Sequence, residues 1–266
     1  MAKITVLGSG GFGLSLAIMC DKNGHDVTVW SNFASEIDDI KKFHEHKTKL
    51  PNVKISDTIK LTTSIDCITG SDIVIFGIPS KFVRSVAKKS TEYITNDMII
   101  VNTAKGLEEG SHKRMSQVLQ DEIPQGKIVI LSGPSHAEEV ARDIPTTVVV
   151  SSTEPAYAET IQETLSNPLF RIYVNNDIIG CEIGGSLKNI IALCSGISDG
   201  MGYGDNTKAA LMTRGIAEMV RLGVALGAKT DTFSGLTGLG DLIVTCTSIH
   251  SRNYRAGLLI GQGVSP

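Results

Sequence analysis

The chain has 266 residues, 41% hydrophobic and 20% charged, with a net charge of −3, enough to bury a core and to divide into two domains. The negative balance gives no electrostatic attraction for nucleic acid or an anionic membrane surface. Five scattered cysteines (Cys20, Cys67, Cys181, Cys194, Cys246) form no CxxC pair, which disfavours zinc and disulfide frameworks and suits a reducing compartment.

The first strand follows almost directly on Met1, leaving no room for a signal peptide, and no apolar run reads as long enough to cross a bilayer. A soluble cytoplasmic protein, not an integral membrane protein, is expected. Residues 3–13, KITVLGSGGFG, carry the strongest signal. Ile4, Val6 and Leu7 make a short apolar strand, and Gly8-Ser9-Gly10-Gly11-Phe12-Gly13 opens an apolar segment, residues 14–20, that reads as a helix. In such a turn Gly8 permits the tight bend, Gly10 lets the backbone approach a pyrophosphate, and Gly13 lets helix and strand pack closely. The phosphates then meet the unpaired N–H groups of the helix N-terminus. Asn23-Gly24 closes the helix and residues 27–30 form a second strand, completing a βαβ unit. The competing reading is a glycine-rich turn that serves packing alone.

The end of that second strand is where a dinucleotide's adenosine ribose is read, and it holds Trp30-Ser31-Asn32-Phe33. An acid there would accept from the 2′-hydroxyl of NAD, an arginine would hold the 2′-phosphate of NADP, and neither is present. His44 and His46, within a run of alternating charges at residues 41–47, read as a solvated face in preference to a metal site. Residues 73–78, 98–101 and 128–131 are apolar runs expected of strands covered on both faces. Residues 146–150 and 170–174 extend the sheet to an expected eight strands. Ligands of open α/β sheets gather at strand carboxyl ends, so Asn102-Thr103-Ala104-Lys105-Gly106 and Ser132-Gly133-Pro134-Ser135-His136-Ala137 are expected to face the cofactor. Lys105 is a candidate to face a phosphate or carbonyl. His136 is left out of the chemistry, since a lone loop histidine more often packs or caps.

From about residue 177 strands give way to helices. The division expected is a dinucleotide-binding Rossmann-type domain, residues 1–176, and a helical substrate domain, residues 177–266. Asp177 can cap a helix over residues 178–198 that contains Gly184, Gly185 and Lys188. Interior helix glycines cost about 1 kcal/mol each relative to alanine, so they imply close approach by another backbone or a ligand. Lys188 lies one turn beyond Gly184 on the same face of a helix that is apolar or small nearly all round, which makes it a buried lysine with a task. Asn206 is expected to cap a second helix over residues 207–227. Asp241 either caps the helix that begins there or orients a catalytic amine. Ser251-Arg252-Asn253 offers a guanidinium with two small hydrogen-bonding neighbours, suited to a phosphate.

Taken together, GSGGFG, LPNV at residues 50–53, NTAKGLE at 102–108, LSGPSHAEEVA at 131–141, GGSLKNIIAL at 184–193, KAALMTRG at 208–215 and FSGLTGLGDLIVTCTS…SRN resemble the NAD(P)-dependent glycerol-3-phosphate dehydrogenases of bacteria along essentially the whole chain. The resemblance implies reduction of dihydroxyacetone phosphate to sn-glycerol 3-phosphate, feeding glycerophospholipid synthesis, by a cytoplasmic homodimer using NADP or NAD. It implies Lys188 as the proton donor and acceptor, with Lys105, Gly133, Ser135, Asp241, Ser251, Arg252 and Asn253 on the substrate. Gly11, Phe12, Asn32, Lys105, Ala137 and Arg252 are implied on the cofactor side, beside Gly8, Gly10 and Gly13. Lys105 and desolvation would each depress the pKa of Lys188.

Phe12 stands where the family often has Trp or Tyr, and Asn32 and Phe33 replace a histidine and a basic residue. The chain ends at Pro266 where members of that family continue with further helices, so an incomplete helical domain is implied. The alternatives are a nucleotide-binding fragment that no longer turns over and a reductase of another small keto substrate.

Overall fold

The computed structural model describes residues 1–265; Pro266, the last residue named above, lies outside them. Eight strands form one sheet: β1 Lys3–Leu7, β2 Asp26–Trp30, β3 Lys60–Thr62, β4 Ile73–Phe76, β5 Ile99–Asn102, β6 Lys127–Ser132, β7 Thr146–Ser152 and β8 Phe170–Val174, in the order β3-β2-β1-β4-β5-β6-β7-β8. Helices α1 Gly11–Lys22, α2 Ala34–Phe43, α3 Val83–Ser90, α4 Met115–Glu122, α5 Ala137–Ala141 and α6 Pro155–Leu165 connect them. The second part is helical: α7 Ile178–Gly200, α8 Asp205–Ala225, α9 Asp241–Thr247 and α10 Arg252–Gly261.

The pleat explains why these runs are apolar at every position. Ile4, Val6, Val27, Val29 and Ile75 point into one core layer with Leu14, Leu16 and Ile40, while Leu7, Trp30, Val74, Phe76 and Ile100 point into the other with Val83 and Leu119. In the register, Leu7 pairs with both Trp30 and Phe76, so β1, β2 and β4 end at one level. The chain leaves β1 to one side for β2 and crosses back to the other side for β4. That reversal opens a crevice at the carboxyl ends, where doubly wound sheets take their ligands.

Four features depart from the expectations above. β3 is a three-residue strand with an exposed-to-intermediate face, too short and too polar for an apolar-run search to find. β7 runs antiparallel to β6, so the sheet is mixed, because a strand buried on both faces carries no sign of its direction. Helix α8 begins at Asp205 with Gly204 as its N-cap; Asn206 sits inside the first turn and does not cap. Finally, α7 does have the length and composition of a membrane span, with a window of mean hydropathy 1.3, half of it buried inside the protein. Its apolar character is that of a central helix: it is packed by α8, α9 and α10 and rests on Ile130 and Val149 of the sheet through Cys181.

Asp177 caps α7, accepting from the Gly180 N–H at 2.9 Å, and also accepts from the Lys229 N–H at 2.8 Å and Thr232 Oγ1 at 2.6 Å. One buried carboxylate thus starts α7 and ties it to the segment after α8. At its other end α7 crosses α10 backbone to backbone: a Cβ on Gly196 would lie 2.1 Å from the Tyr254 carbonyl oxygen.

Candidate active site

The glycine turn joins β1 to α1. Gly8 has φ +123°, a conformation open to glycine and costly for other residues, and a Cβ there would lie 2.6 Å from the Gly77 carbonyl oxygen. A Cβ on Gly13 would lie 2.4 Å from the Gly8 carbonyl oxygen, so α1 starts hard against the turn. Gly10, the N-cap of α1, supplies no side-chain acceptor, and the space where its Cβ would stand is nearly open. The N–H groups of Gly11 and Phe12 therefore face a gap without a cap, which fits a pyrophosphate. Gly11 also admits a neighbour: the Lys49 carbonyl passes 2.5 Å from its Cβ position, and Ala137 Cβ is 3.5 Å away. Phe12 is half-buried against the core, and Asn32 is exposed at the end of β2.

The sequence reading found no acid at the β2 end, yet the fold supplies one. Glu36, in the first turn of α2, folds back so that its carboxylate accepts from Ser9 of the glycine turn, from Ser31 at 3.2 Å and from Lys49 Nζ at 2.5 Å. A search for an acid at the strand end misses it because it lies a helical turn further on.

Across the crevice, the loop after β5 and helices α7 and α9 assemble the second cluster. Lys188 is 7% exposed on α7; its ammonium donates to Asp241 Oδ1 and, at 2.8 Å, to Thr245 Oγ1. Lys105 Nζ reaches the other oxygen, Asp241 Oδ2, at 2.6 Å and the Gly133 carbonyl at 3.0 Å. Asp241, 1% exposed, is the first residue of α9 and joins two lysines from different parts of the chain. Its carboxylate contacts are with these two amines. Two glycines allow this. A Cβ on Gly184 would lie 2.5 Å from the Thr237 carbonyl oxygen in the turn leading to α9, and one on Gly185 would lie 2.8 Å from Ser132 Oγ and 3.5 Å from the Lys105 side chain. The Lys105 loop is held from below by the Gly106 N–H, which donates to Ser186 Oγ at 3.0 Å.

Burial and the neighbouring Lys105 ammonium push Lys188 down to about 7, against the opposing pull of Asp241. A lysine at that value can give and regain a proton near neutrality. Thr245, absent from the sequence reading, is found only by its contact with Lys188. His136 stands beside this cluster, its ring 5.6 Å from that of His250 and its Nε2 buried without a hydrogen-bond partner. Burial holds it below the usual histidine value.

The remaining expected residues are placed with less convergence. Ser135 Oγ donates to the Gly133 carbonyl at 3.1 Å, and Gly133 has φ +118°. Ser251 caps α10, accepting from the Tyr254 N–H at 3.2 Å, so its hydroxyl is engaged. Arg252 is exposed in the first turn of α10 and, among the described residues, makes no ion pair. Asn253 donates to Asn189 Oδ1 at 2.9 Å, which sets this turn against α7 next to Lys188. Burial pushes the Cys20, Cys181 and Cys246 thiols up to about 12, so they are inert. No group of three or more potential metal-ligating side chains occurs among the described residues, and His44 pairs with Asp57 at 2.8 Å.

A mixed Rossmann-type sheet with a glycine turn ahead of α1, followed by helices that carry a buried, pKa-depressed lysine, is the architecture of a nicotinamide-dependent dehydrogenase. Family models described as the NAD-dependent glycerol-3-phosphate dehydrogenase N-terminus and C-terminus match residues 3–158 and 177–266. The chain belongs to that family. It is 53% identical over 263 residues to a glycerol-3-phosphate dehydrogenase (NAD(P)+) of Desulfitobacterium hafniense, covering 99% of this chain and 75% of the relative. With the enzyme of the same name from Bacillus subtilis it shares 51% identity over 267 residues, 99% and 77% of the two chains. The crystal structure of glycerol-3-phosphate dehydrogenase from Coxiella burnetii superposes with a TM-score of 0.95 at 37% identity, covering 98% of this chain and 81% of that one.

Proposed function

We propose that this chain catalyses the reversible reduction of dihydroxyacetone phosphate to sn-glycerol 3-phosphate with NADH or NADPH. The family match and the relatives' names support the reaction. The observation that carries the mechanism is the buried Lys188, gripped by Asp241 and Thr245 and depressed to about 7. When bound, the nicotinamide supplies the hydride to the ketone carbon. Lys188 stabilises the negative charge growing on the carbonyl oxygen and delivers the proton that completes the alcohol. Asp241 and Thr245 hold the amine in one direction, so no reorganisation is needed when charge develops. Lys105 lowers the proton's hold on Lys188 and adds positive charge for the substrate.

The exposed Arg252, with Ser251, Asn253 and the first turn of α10, is the proposed seat of the substrate phosphate, which fixes the reacting carbon by its far end. Gly133, whose carbonyl accepts from Lys105 Nζ, and Ser135, which donates to the same carbonyl, are proposed on the substrate as well. Gly8, Gly10, Gly11, Phe12 and Gly13 seat the pyrophosphate, Asn32 lies by the adenosine, and Ala137 backs the turn.

We take residues 1–176 as the dinucleotide-binding part and 177–266 as the substrate part. A cytoplasmic homodimer without nucleic-acid partners is the assembly we propose, on the family resemblance and the net charge of −3. The test is the loss of reduced-nicotinamide absorbance with the purified protein. Oxidation that requires dihydroxyacetone phosphate and disappears in Lys188→Ala supports the reading. Silence with both cofactors, although either binds, would overturn it in favour of a nucleotide-binding fragment.

A further inference from the structure

We infer that Glu36 is the residue by which this chain selects NAD(H) over NADP(H), its carboxylate accepting from the adenosine 2′-hydroxyl and excluding a 2′-phosphate. The inference rests on the dinucleotide seat proposed above and concerns its adenosine end.

Position comes first. Ser9 belongs to the glycine turn and Ser31 directly follows β2; their hydroxyl oxygens are 2.8 Å apart, and both reach Glu36 Oε2. The carboxylate is therefore fixed over the carboxyl ends of β1 and β2, where a doubly wound sheet reads the adenosine ribose. Its side chain keeps 21% of its surface exposed, so it is anchored but open to a ligand. Two carboxylate oxygens offer about four acceptor directions. The contacts from Ser9, Ser31 and Lys49 leave one for a ribose hydroxyl.

Charge comes second. Burial works to raise the pKa of Glu36, but the hydrogen bonds from Lys49 and Ser9 and the Lys49 charge outweigh it and hold the group below the usual glutamate value. It is an anion throughout the neutral range, and it also sits in the first turn of α2, where the helix dipole favours negative charge. Among the described residues, this corner offers no free cation. Asn32 and Phe33 are uncharged, Lys49 is tied to Glu36 at 2.5 Å, and burial holds His46 below the usual histidine value. A phosphate monoester placed here meets a carboxylate whose one counter-ion is already engaged. A hydroxyl meets an acceptor.

The experiment measures affinities directly, without turnover, from the fluorescence of Trp30, the single tryptophan, which ends β2. NADH and NADPH are titrated, and so are AMP and adenosine 2′,5′-bisphosphate, against the unaltered chain, Glu36→Gln and Lys49→Met. The unaltered chain is expected to bind NADH about tenfold or more tighter than NADPH, the worth of one charged hydrogen bond. Glu36→Gln should erase most of that ratio. Lys49→Met should widen it, because the carboxylate then stands uncompensated; this second variant moves the ratio in the opposite direction, so general damage to the fold cannot imitate the pair of results. Tighter NADPH binding by the unaltered chain, or an unchanged ratio in Glu36→Gln with both cofactors still bound, overturns the inference and leaves the dinucleotide seat standing. Failure of the unaltered chain to bind either cofactor overturns the seat itself, and Glu36's role with it.

Discussion

At the scale of single residues, the proposed chemistry rests on Lys188 and Asp241. In the proposed role the amine supplies both the proton and the charge that stabilises the developing alkoxide, so Lys188→Ala should lower kcat by about 10² to 10⁴-fold, the usual range for a general acid. Steady-state kinetics checks this, with cofactor affinity unchanged as the control. The pH dependence has a definite sign. Reduction needs the ammonium form, so kcat/KM for the ketone should be flat at low pH and fall as pH rises through about 7; alcohol oxidation needs the free amine and should rise through the same value. The neighbours move that break in opposite directions. Lys105→Met removes a like charge and should shift it up, whereas Asp241→Asn removes the opposing pull and should shift it down. Parallel shifts in the two variants would show that the break belongs to another group. Lys188 was legible in the sequence because a lysine on an otherwise apolar helix face has few bland explanations. Thr245 and Glu36 were not, since a threonine or a glutamate in a helix is ordinary until its partner is known.

Helix crossings decide where these residues stand. α7 carries Lys188 and α10 carries Arg252, and their separation is set by glycine at the crossing. In Gly196→Ala the intrinsic gain in helix propensity, about 1 kcal/mol, is opposed by a Cβ placed 2.1 Å from the Tyr254 carbonyl oxygen. Two regular helices cannot relieve that contact without moving apart, so the clash prevails and a net loss of about 1–3 kcal/mol is expected. Urea unfolding should show a lower midpoint at an unchanged slope. The same displacement carries Arg252 away from Lys188, so KM for the ketone phosphate should rise while cofactor affinity holds. The elements themselves were largely legible. Apolar runs marked seven of the eight strands, and Asp177 marked the start of α7. β3 escaped because three residues with a polar face carry no period, and α8 began earlier than expected because Gly204 could cap it without a side chain.

For the whole molecule, the sheet and the helical part are joined through the site. Lys105 comes from the sheet side and Asp241 from the helical side, 136 residues apart, so a ligand that engages this junction is linked to global stability. A cofactor present at a hundred times its Kd should stabilise the folded chain by about 2.7 kcal/mol, provided the unfolded chain does not bind it. Calorimetric or fluorescence melts with increasing cofactor would measure this, and an unchanged Tm at saturation would contradict a preformed seat. The membrane-like hydropathy of α7 also makes sense at this scale. The buried half of the helix is apolar because it packs against α8, α9, α10 and the sheet, and its lysine and glutamate are tolerated because each is paired: Lys188 with Asp241, and Glu182 with Arg114 and both the N–H and hydroxyl of Ser116.

The sequence by itself determined what depends on neighbours along the chain. A β-branched apolar run makes a strand, a glycine turn leads that strand directly into a helix, and an aspartate ahead of an apolar helix makes a cap; the ordered motifs were enough to place the family. The tertiary structure decided what depends on distance in space. It turned β7 against β6, since burial on both faces leaves no mark of direction, and it brought Lys105, Lys188 and Asp241 into one ion-paired cluster whose desolvation sets the lysine's pKa. It also returned Glu36 to a strand end that had looked uncharged, because a helix folds back in space by a route that linear spacing does not record.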